Sequence, residues 1–242
     1  MGRNSYRNIE QALAIEARLK KREAFKQAEA EALAVAAGKK PGSKAVKPFK
    51  SSTTGSGEVR IIGGQWRRTR LTVAQRPGLR PTPDRVRETL FNWLGQDMGG
   101  WRCIDAFAGT GALGFEAASR GASQVRMVEQ DAGLCQQLER LVQQLKADGV
   151  HVQRGDGVGA LTQSAPGHWH LVFIDPPFSV EALFVPAVKA AAQALADDGF
   201  IYLEAPKAWS DEELAEFGLQ QHRHLKAGAV HAHLLKKLPA SN

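Results

Sequence analysis

Asp175, Pro176, Pro177 and Phe178 close the apolar run HLVFI. Their types suit the activation of an amino group on a heteroaromatic ring. Such a nitrogen is a poor nucleophile because its lone pair is delocalised into the ring. Acceptors around its two N–H bonds favour a more tetrahedral nitrogen and free the lone pair. Asp175 offers carboxylate oxygens and Pro176 a backbone carbonyl. The two prolines fix φ, which aims that carbonyl into a site and not into a helix. Phe178 offers a flat face on which a base can stack, a contact of roughly 1–3 kcal/mol. A rigid strand-to-loop turn is the plain alternative for an isolated match.

A second constellation lies 70 residues upstream. In DAFAGTGALG, Asp105 to Gly114, the segment GTGALG has the spacing G-x-G-x-x-G. The run RCIDAFA before it reads as a buried strand, and ALGFEAASRG after it as a helix ending at Gly121. A loop between strand and helix is the context a cofactor fingerprint requires. Gly109 and Gly111 let the backbone approach a ligand, and Gly114 lets the helix pack close to the sheet. Glu129, 18 residues after Gly111, ends the next strand and can accept from both hydroxyls of a ribose. That pattern is usually read as a nicotinamide dinucleotide site. Asp105 argues otherwise: a carboxylate there suits an ammonium or sulfonium and repels a pyrophosphate. S-adenosylmethionine has the cationic tail and no phosphates. Asp156, in the GDG after the third strand, is positioned to accept from an adenine amino group, with a plain turn as its alternative.

These residues need a parallel sheet to bring them together. Beyond residue 100 the chain alternates strand and helix, as a doubly wound α/β sheet does. Strands are predicted near 102–107, 124–129, 150–154, 169–174 and 199–204, with helices near 112–120, 131–147, 157–164 and 181–196. The segment LQQHRHLKAGAVHAHLLKKL adds an antiparallel pair turning at Ala227–Gly228, which makes seven strands. Upstream, EVRIIGGQWRRTRLTV reads as a β-hairpin turning at Gly63–Gly64, with Arg67, Arg68 and Arg70 on its second strand. The helix DRVRETLFNWL follows, with Thr82 as its cap and Pro83 at its first position. The expected domains are an extension over 1–57, a hairpin and loop over 58–83 and a catalytic domain over 84–242.

The charge is unevenly placed. Residues 1–57 carry 12 Lys/Arg against 5 Asp/Glu, residues 58–87 carry 8 Arg against 2 acids, and the remainder is net −6. A basic N-terminal third points to a polyanionic partner at that end. The helix-favouring stretch 7–36 and the Gly-, Ser- and Lys-rich stretch 38–57 read as a partly helical, then flexible, basic arm. Arg60, Arg67, Arg68, Arg70, Arg80, Thr82 and Arg85 are the candidate RNA contacts. Cys103 and Cys135 make no disulfide framework and read as reduced, which suits a cytoplasmic protein. No apolar run approaches the roughly 18–20 residues that span a membrane. His222, His224, His231 and His233 would share one strand face, His224 opposite His231. No cysteine or carboxylate accompanies them, and a half-exposed polar face without metal is the expectation.

The blocks RIIGGQWR, LRPTPDRVRETLFNWL, CIDAFAGTGALGFEAASRGA, VEQD and FIDPPF, in that order, resemble the bacterial 16S rRNA guanine-N2 methyltransferases of the RsmD type. The resemblance covers about 58–238 and is carried mainly by the first two blocks. It implies an S-adenosylmethionine-dependent methyltransferase fold, and a guanine of 16S rRNA in the 30S subunit or its assembly intermediate as substrate. Asp105, Ala108, Gly109, Thr110, Gly111, Gly114, Glu129, Gln130, Asp156 and Gly157 would then hold the cofactor. Asp175, Pro176, Pro177 and Phe178 would hold the flipped guanine. The protein is expected to be a monomer. The 1–57 extension lies outside the family pattern. Rival classes are a DNA adenine or cytosine amino-methyltransferase, which should carry a sizeable target-recognition region, and a protein glutamine methyltransferase, which usually has Asn at the position of Asp175. A non-catalytic assembly factor would not need an intact D-P-P-F.

Overall fold

A computed structural model describes residues 57–73, 82–178 and 180–239. The basic arm up to residue 56 and Arg80 lie outside the described residues. The chain enters through a short antiparallel pair, β1 (Gly57–Arg60) and β2 (Arg70–Val73), and then α1 (Asp84–Leu94). The strand–helix alternation follows as β3 (Arg102–Asp105), α2 (Ala112–Ser119), β4 (Gln124–Glu129), α3 (Ala132–Leu145), β5 (Val150–Arg154), α4 (Gly157–Thr162) and β6 (Trp169–Ile174). After a 3₁₀ turn (Glu181–Leu183) come α5 (Phe184–Ala194), β7 (Leu195–Ala205), α6 (Asp211–Ala215), β8 (Leu219–Ala227) and β9 (Val230–Lys237).

The seven-stranded sheet has the order β5-β4-β3-β6-β7-β9-β8. Strands β3 to β7 pair in parallel, and β9 runs antiparallel to both β7 and β8. Strands buried on both faces read as continuous apolar runs. In β6, Leu171 and Phe173 enter one core layer with Phe91, Phe115 and Tyr202, while Val172 and Ile174 enter the other with Trp169 and Leu203. Helix α2 is buried along its whole length, which accounts for its lack of a polar face. Chain order reverses between β3 and β6. Open α/β sheets bind ligands at such a reversal, outside the carboxyl ends of the strands. Among the described residues no helix is long and apolar enough to cross a membrane.

Several local expectations are corrected. β7 starts at Leu195 instead of 199, and the helix expected over 181–196 is a 3₁₀ turn plus α5. The last hairpin turns at Gly228–Ala229, one residue later than expected, because Gly228 takes the left-handed conformation and Ala227 pairs with Val230. Each strand partner therefore shifts by two, which keeps the same faces: His224 lies opposite His233, not His231. Thr82 is not a helix cap. Pro83 occupies that position without a side-chain bond, and Thr82 is buried.

The largest correction concerns Gly63 and Gly64. β1 and β2 do pair, Arg60 opposite Arg70, but residues 61–69 intervene, so the two glycines are not a hairpin turn. Arg67 and Arg68 lie in this loop and only Arg70 belongs to β2. The glycines are needed for close approach. Gly64 has φ 73°, and a Cβ there would stand 1.8 Å from the Ser119 carbonyl oxygen. The loop is laid against the end of α2: Gln65 N–H donates to Ser119 O at 2.7 Å, and Ser119 Oγ donates to Gly63 O at 2.6 Å.

Beneath that contact sits Glu116, fully buried. Its carboxylate accepts from the Ile62 and Gly63 N–H groups, both at 2.8 Å. It also accepts from Arg120 Nε at 2.9 Å and Nη2 at 2.8 Å, and pairs with Arg87 Nη1 at 3.4 Å. Arg87, 1% exposed, reaches Arg60 O, Asp84 Oδ1 and Thr82 O. Arg120 lies 4.6 Å over the Phe91 ring and bonds Gln96. Each buried charge of this cluster is thus both paired and hydrogen-bonded, the condition under which such groups are tolerated. Removing one partner leaves the others uncompensated. Glu116→Ala is expected to destabilise the protein by about 3–5 kcal/mol, read as a lower urea midpoint. A loss under about 1 kcal/mol would show that the Arg87 and Arg120 charges find other partners.

Candidate active site

The glycine loop springs from the carboxyl end of β3, where the chain turns away from the sheet at Ala106. It is closed by Gly111 N–H donating to Ala108 O at 2.7 Å, and Gly111, with φ 77°, stands at the start of α2. Ala108 N–H donates to Val128 O at 2.9 Å, tying the loop to β4. Glu129 spans the same gap: Oε2 accepts from Gly109 N–H at 2.9 Å and Oε1 from Asp131 N–H at 2.8 Å. Each oxygen has a further lone pair for a ribose hydroxyl. Thr110 is buried in the loop. Asp156 caps α4, accepting from Gly159 N–H at 2.7 Å, and its other oxygen is 3.4 Å from Gln130 Nε2. Asp156 and Gln130 are exposed at the loop's rim and Gly157 is buried beneath them. The expected cofactor residues are therefore gathered at one edge, on β3, β4 and α4.

Asp105 is 1% exposed. Its Oδ2 accepts from Gly114 N–H at 3.2 Å, whereas Oδ1 is buried with no hydrogen-bond partner among the described residues. Burial pushes its pKa up to about 7, against the Gly114 and Phe107 N–H bonds; Glu129 and Glu204 add to the rise. A buried acceptor without a partner beside a glycine loop fits a ligand that brings a cationic donor.

Asp175 stands at the reversal, immediately after β6 and half-buried. Asp105 pairs with Phe173 in the sheet, which brings the D-P-P-F segment alongside the glycine loop. Pro176 is buried, Pro177 exposed, and Phe178 half-buried with its ring 6.4 Å from that of Phe184. Three further residues stand at this end of the sheet: Tyr202 and Glu204, which sequence reasoning missed, and Thr82, which it placed as a helix cap and RNA contact. Tyr202 Oη donates to Glu204 Oε1 at 2.7 Å, and the side chain of buried Thr82 acts on the Asp175 and Glu204 carboxyls to lower the pKa of both. Burial pushes the Asp175 and Glu204 carboxyls above the usual range, and Glu204 and Asp105 push Asp175 further. Tyr202 is raised well above its ordinary value by burial and by Glu204. A glutamate inside the apolar run IYLEA was the available signal, since such a residue is almost never fully buried without a partner.

The candidate RNA contacts divide. Arg60 pairs with Asp84 at 3.1 Å and Arg70 with Glu58 at 3.0 Å, both on the surface. Arg67, Arg68 and Arg85 are exposed. Arg67 lines a cavity of about 460 Å³ together with Gly64, Asn92 and Arg120, on the clamp and not at the glycine loop. Buried Thr82 does not belong with them. The histidines come together in part. His224 Nε2 is 3.0 Å from His231 Nδ1, and His233 stacks on His224 with ring centroids 4.5 Å apart. His233 is engaged at both ring nitrogens, by Gln221 at 2.9 Å and the Trp209 N–H at 3.4 Å. His222, at a register shift in β8, packs instead on Phe200.

The family model described as "Conserved hypothetical protein 95" matches residues 59–236. The chain is 44% identical over 158 residues to ribosomal RNA small subunit methyltransferase D of Escherichia coli (strain K12), covering 64% of this chain and 79% of that relative. It is 42% identical over 156 residues to the protein of the same name from Haemophilus influenzae, covering 62% and 80%. Among solved structures, yhhF of Escherichia coli is similar with a TM-score of 0.64 at 36% identity, covering 75% of this chain and 99% of that one.

The raised pKa of Asp105 has a consequence for stability. An unfolded aspartate ionises near pH 4, whereas the folded one holds its proton up to about 7. The folded state therefore binds the extra proton within that window, and stability falls as pH climbs from about 4 to about 7 and levels above it. Asp105→Asn removes this contribution. The ligand-free variant is expected to gain on wild type steadily across the window, read as urea midpoints between pH 4 and 8. A difference that does not vary with pH would place the Asp105 pKa in the ordinary range.

Proposed function

The chain belongs to the Conserved hypothetical protein 95 family, and from that premise we propose that it transfers the methyl group of S-adenosylmethionine to the exocyclic N2 of a guanine in small-subunit ribosomal RNA. The enzyme class and the RNA follow from the kinship to relatives that carry that name. The cofactor and the guanine nitrogen rest on one observation: Asp175, the acceptor for an amino group, stands at the same reversal in the sheet as the glycine loop and Asp105. We expect the reaction in the cytoplasm, on the 30S particle or its assembly intermediate.

When bound, S-adenosylmethionine supplies an electrophilic methyl on a cationic sulfonium. Asp105 would hold its ammonium tail through the partnerless Oδ1, Glu129 its ribose hydroxyls and Asp156 its adenine amino group. Ala108, Gly109, Thr110, Gly111 and Gly114 wall the loop, with Gln130 and Gly157 at its rim. Phe178 would stack on the flipped guanine. Asp175 and the Pro176 carbonyl would accept the two N–H bonds of N2, turning its lone pair toward the methyl. The gain is mainly positioning with electrostatic support from the buried acids. The expected RNA-facing surface is the 61–69 loop with Arg60, Arg67, Arg68, Arg70 and Arg85; Arg80 is a further candidate from the sequence alone. Phosphate contacts there would set the register of the RNA.

The direct test is mass spectrometry of rRNA from a strain lacking the gene. One N2-methylguanosine of 16S rRNA is expected to vanish and to return with the wild-type gene. An unchanged rRNA would refute the assignment. Asp175→Ala is expected to lower single-turnover methylation of 30S particles by roughly 10²–10⁴-fold while leaving S-adenosylmethionine affinity in calorimetry largely intact. Near-normal turnover would remove Asp175 from the chemistry. Reversing Arg67, Arg68 and Arg70 to Glu is expected to weaken 30S binding most at low salt and to flatten its salt dependence, because those contacts act through counterion release. Filter binding across a salt series checks this, and an unaltered slope would move the RNA to another face.

A further inference from the structure

The histidines of the last hairpin take no part in the reaction described above. Their strand pattern alone puts four rings on one face, but the register of the folded hairpin selects three. The irregularity between Gln221 and Arg223 removes His222 from the set and leaves it on Phe200, with ring centroids 5.5 Å apart. His224 lies opposite His233, and His231 stands two residues before His233 on β9. All three therefore project from one face of the β8–β9 pair. His231 also lies opposite Ala205, the last residue of β7. The trio thus stands at the carboxyl end of β7, with β7 between it and β6.

His224 Nε2 and His231 Nδ1 are 3.0 Å apart, and one nitrogen from each of the three rings lies within 4.8 Å of the others. Two nitrogens bound to one tetrahedral metal at about 2.0–2.1 Å stand roughly 3.3 Å apart. The first pair is already near that spacing, and rotation of the side chains brings in the third. His233 is set for the same task. Its Nδ1 faces Gln221 Oε1 at 2.9 Å, an oxygen that only accepts, so Nδ1 carries the hydrogen. Its Nε2 keeps a lone pair, which the Trp209 N–H meets only at 3.4 Å. A metal-bound histidine commonly donates its second ring N–H to an oxygen of this kind, which fixes its tautomer and orientation. His224 is exposed, His231 half-buried and His233 buried, so the trio is open to solvent on the His224 side. The donors are three imidazole nitrogens. Imidazole suits zinc, copper and nickel, whereas magnesium and calcium take oxygen donors. Lys226, opposite His231, is exposed, so its ammonium can stay in solvent.

We propose that His224, His231 and His233 bind one zinc ion, with water in the fourth position, and that the ion ties β8 to β9. This departs from the metal-free face expected from the strand pattern, which did not foresee the selection of three rings. β8 stands at the end of the strand order, where a strand has a partner on one side only. The ion adds a cross-strand link beyond the backbone ladder. When it takes both facing lone pairs, the hydrogen now shared by His224 and His231 moves to the outer nitrogen of its ring. The ion has no step in methyl transfer.

Calorimetric titration of the untagged, chelator-stripped full chain with zinc chloride at neutral pH tests the site. Wild type is expected to bind one zinc per chain, and His222→Ala to bind it equally well. His224→Ala and His231→Ala are each expected to weaken binding roughly tenfold or more. Zinc should raise the thermal midpoint of wild type by mass action on the folded state, and a chelator should reverse the rise. Imidazole ¹⁵N NMR of wild type keeps the test open if a variant fails to fold. Zinc should shift the ring nitrogens of His224, His231 and His233 and leave those of His151, His168 and His170 in place. No zinc bound by wild type, a loss smaller than tenfold in either folded variant, or shifts at the other histidines in place of the trio overturns the proposal. The methyltransferase reading survives each of these outcomes, since the trio lies outside its chemistry.

Discussion

Five donors converge on the Glu116 carboxylate: the N–H groups of Ile62 and Gly63, two nitrogens of Arg120 and one of Arg87. They come from the entry loop, α1 and the residue that follows α2, and the first two are parts of the chain that local sequence cannot bring to Glu116. Two parts of the site are placed through this contact. Along one route Glu116 fixes α2, whose first turn carries the glycine loop and supplies Gly114 N–H to Asp105. Along the other it fixes Arg87, which holds the carbonyl of Thr82, whose side chain acts on the Asp175 and Glu204 carboxyls. Buried ion pairs contribute little net stability compared with apolar packing, and registry is their best-attested use. The two routes out of Glu116 are a registry of that kind.

The registry delivers an unusual concentration of acid. Asp105, Asp175 and Glu204 meet at one point of the sheet, each with its pKa raised first by burial. Without a ligand the arrangement disfavours folding at neutral pH, since each buried carboxyl resists ionisation. Toward a cationic sulfonium and an amino group that gains charge as it reacts, the same carboxyls are acceptors fixed in advance, which need no reorganisation at the moment of reaction. Local structure that weakens the fold is found where function requires it. The Asp105 Oδ1 is the clearest instance, a buried acceptor without a partner among the described residues.

The basic residues are arranged in the opposite way. Asp105 and Glu204 of the site are buried, whereas Arg60, Arg67, Arg68, Arg70 and Arg85 are exposed on the entry segment and α1. The surface pairs Arg60–Asp84 and Arg70–Glu58 are of the kind that contributes little, so a phosphate can replace the carboxylate at small loss. The clamp at Glu116 thus joins a surface suited to a polyanion to a site suited to a cation and a nucleobase, through one buried carboxylate.

Much of this was open to reading in one dimension. Strand-to-helix alternation, the glycine loop, Asp105, Glu129 and D-P-P-F were visible because each depends on neighbours in the chain: apolar runs make buried strands, and glycine or proline at fixed offsets sets the backbone beside a functional group. The antiparallel end of the sheet was readable for the same reason, although its turn fell one residue from the expected place, since Gly228 and not Ala227 takes the left-handed conformation. The roles of Gly63–Gly64, Thr82 and Glu204 were not visible. Two glycines before an arginine-rich stretch look like a hairpin turn, and only α2, packed 1.8 Å from where a Cβ would stand, shows them to be an opening for another helix. A threonine before Pro83 looks like a helix cap until the fold buries it and sets its side chain to act on carboxyls at the ends of β6 and β7. Sequence determined which residues have the chemistry and which segments become strands, because those depend on local periodicity and residue type. Tertiary structure decided which distant groups share a hydrogen bond, an ion pair or a van der Waals contact, because such partners are chosen by distance in space.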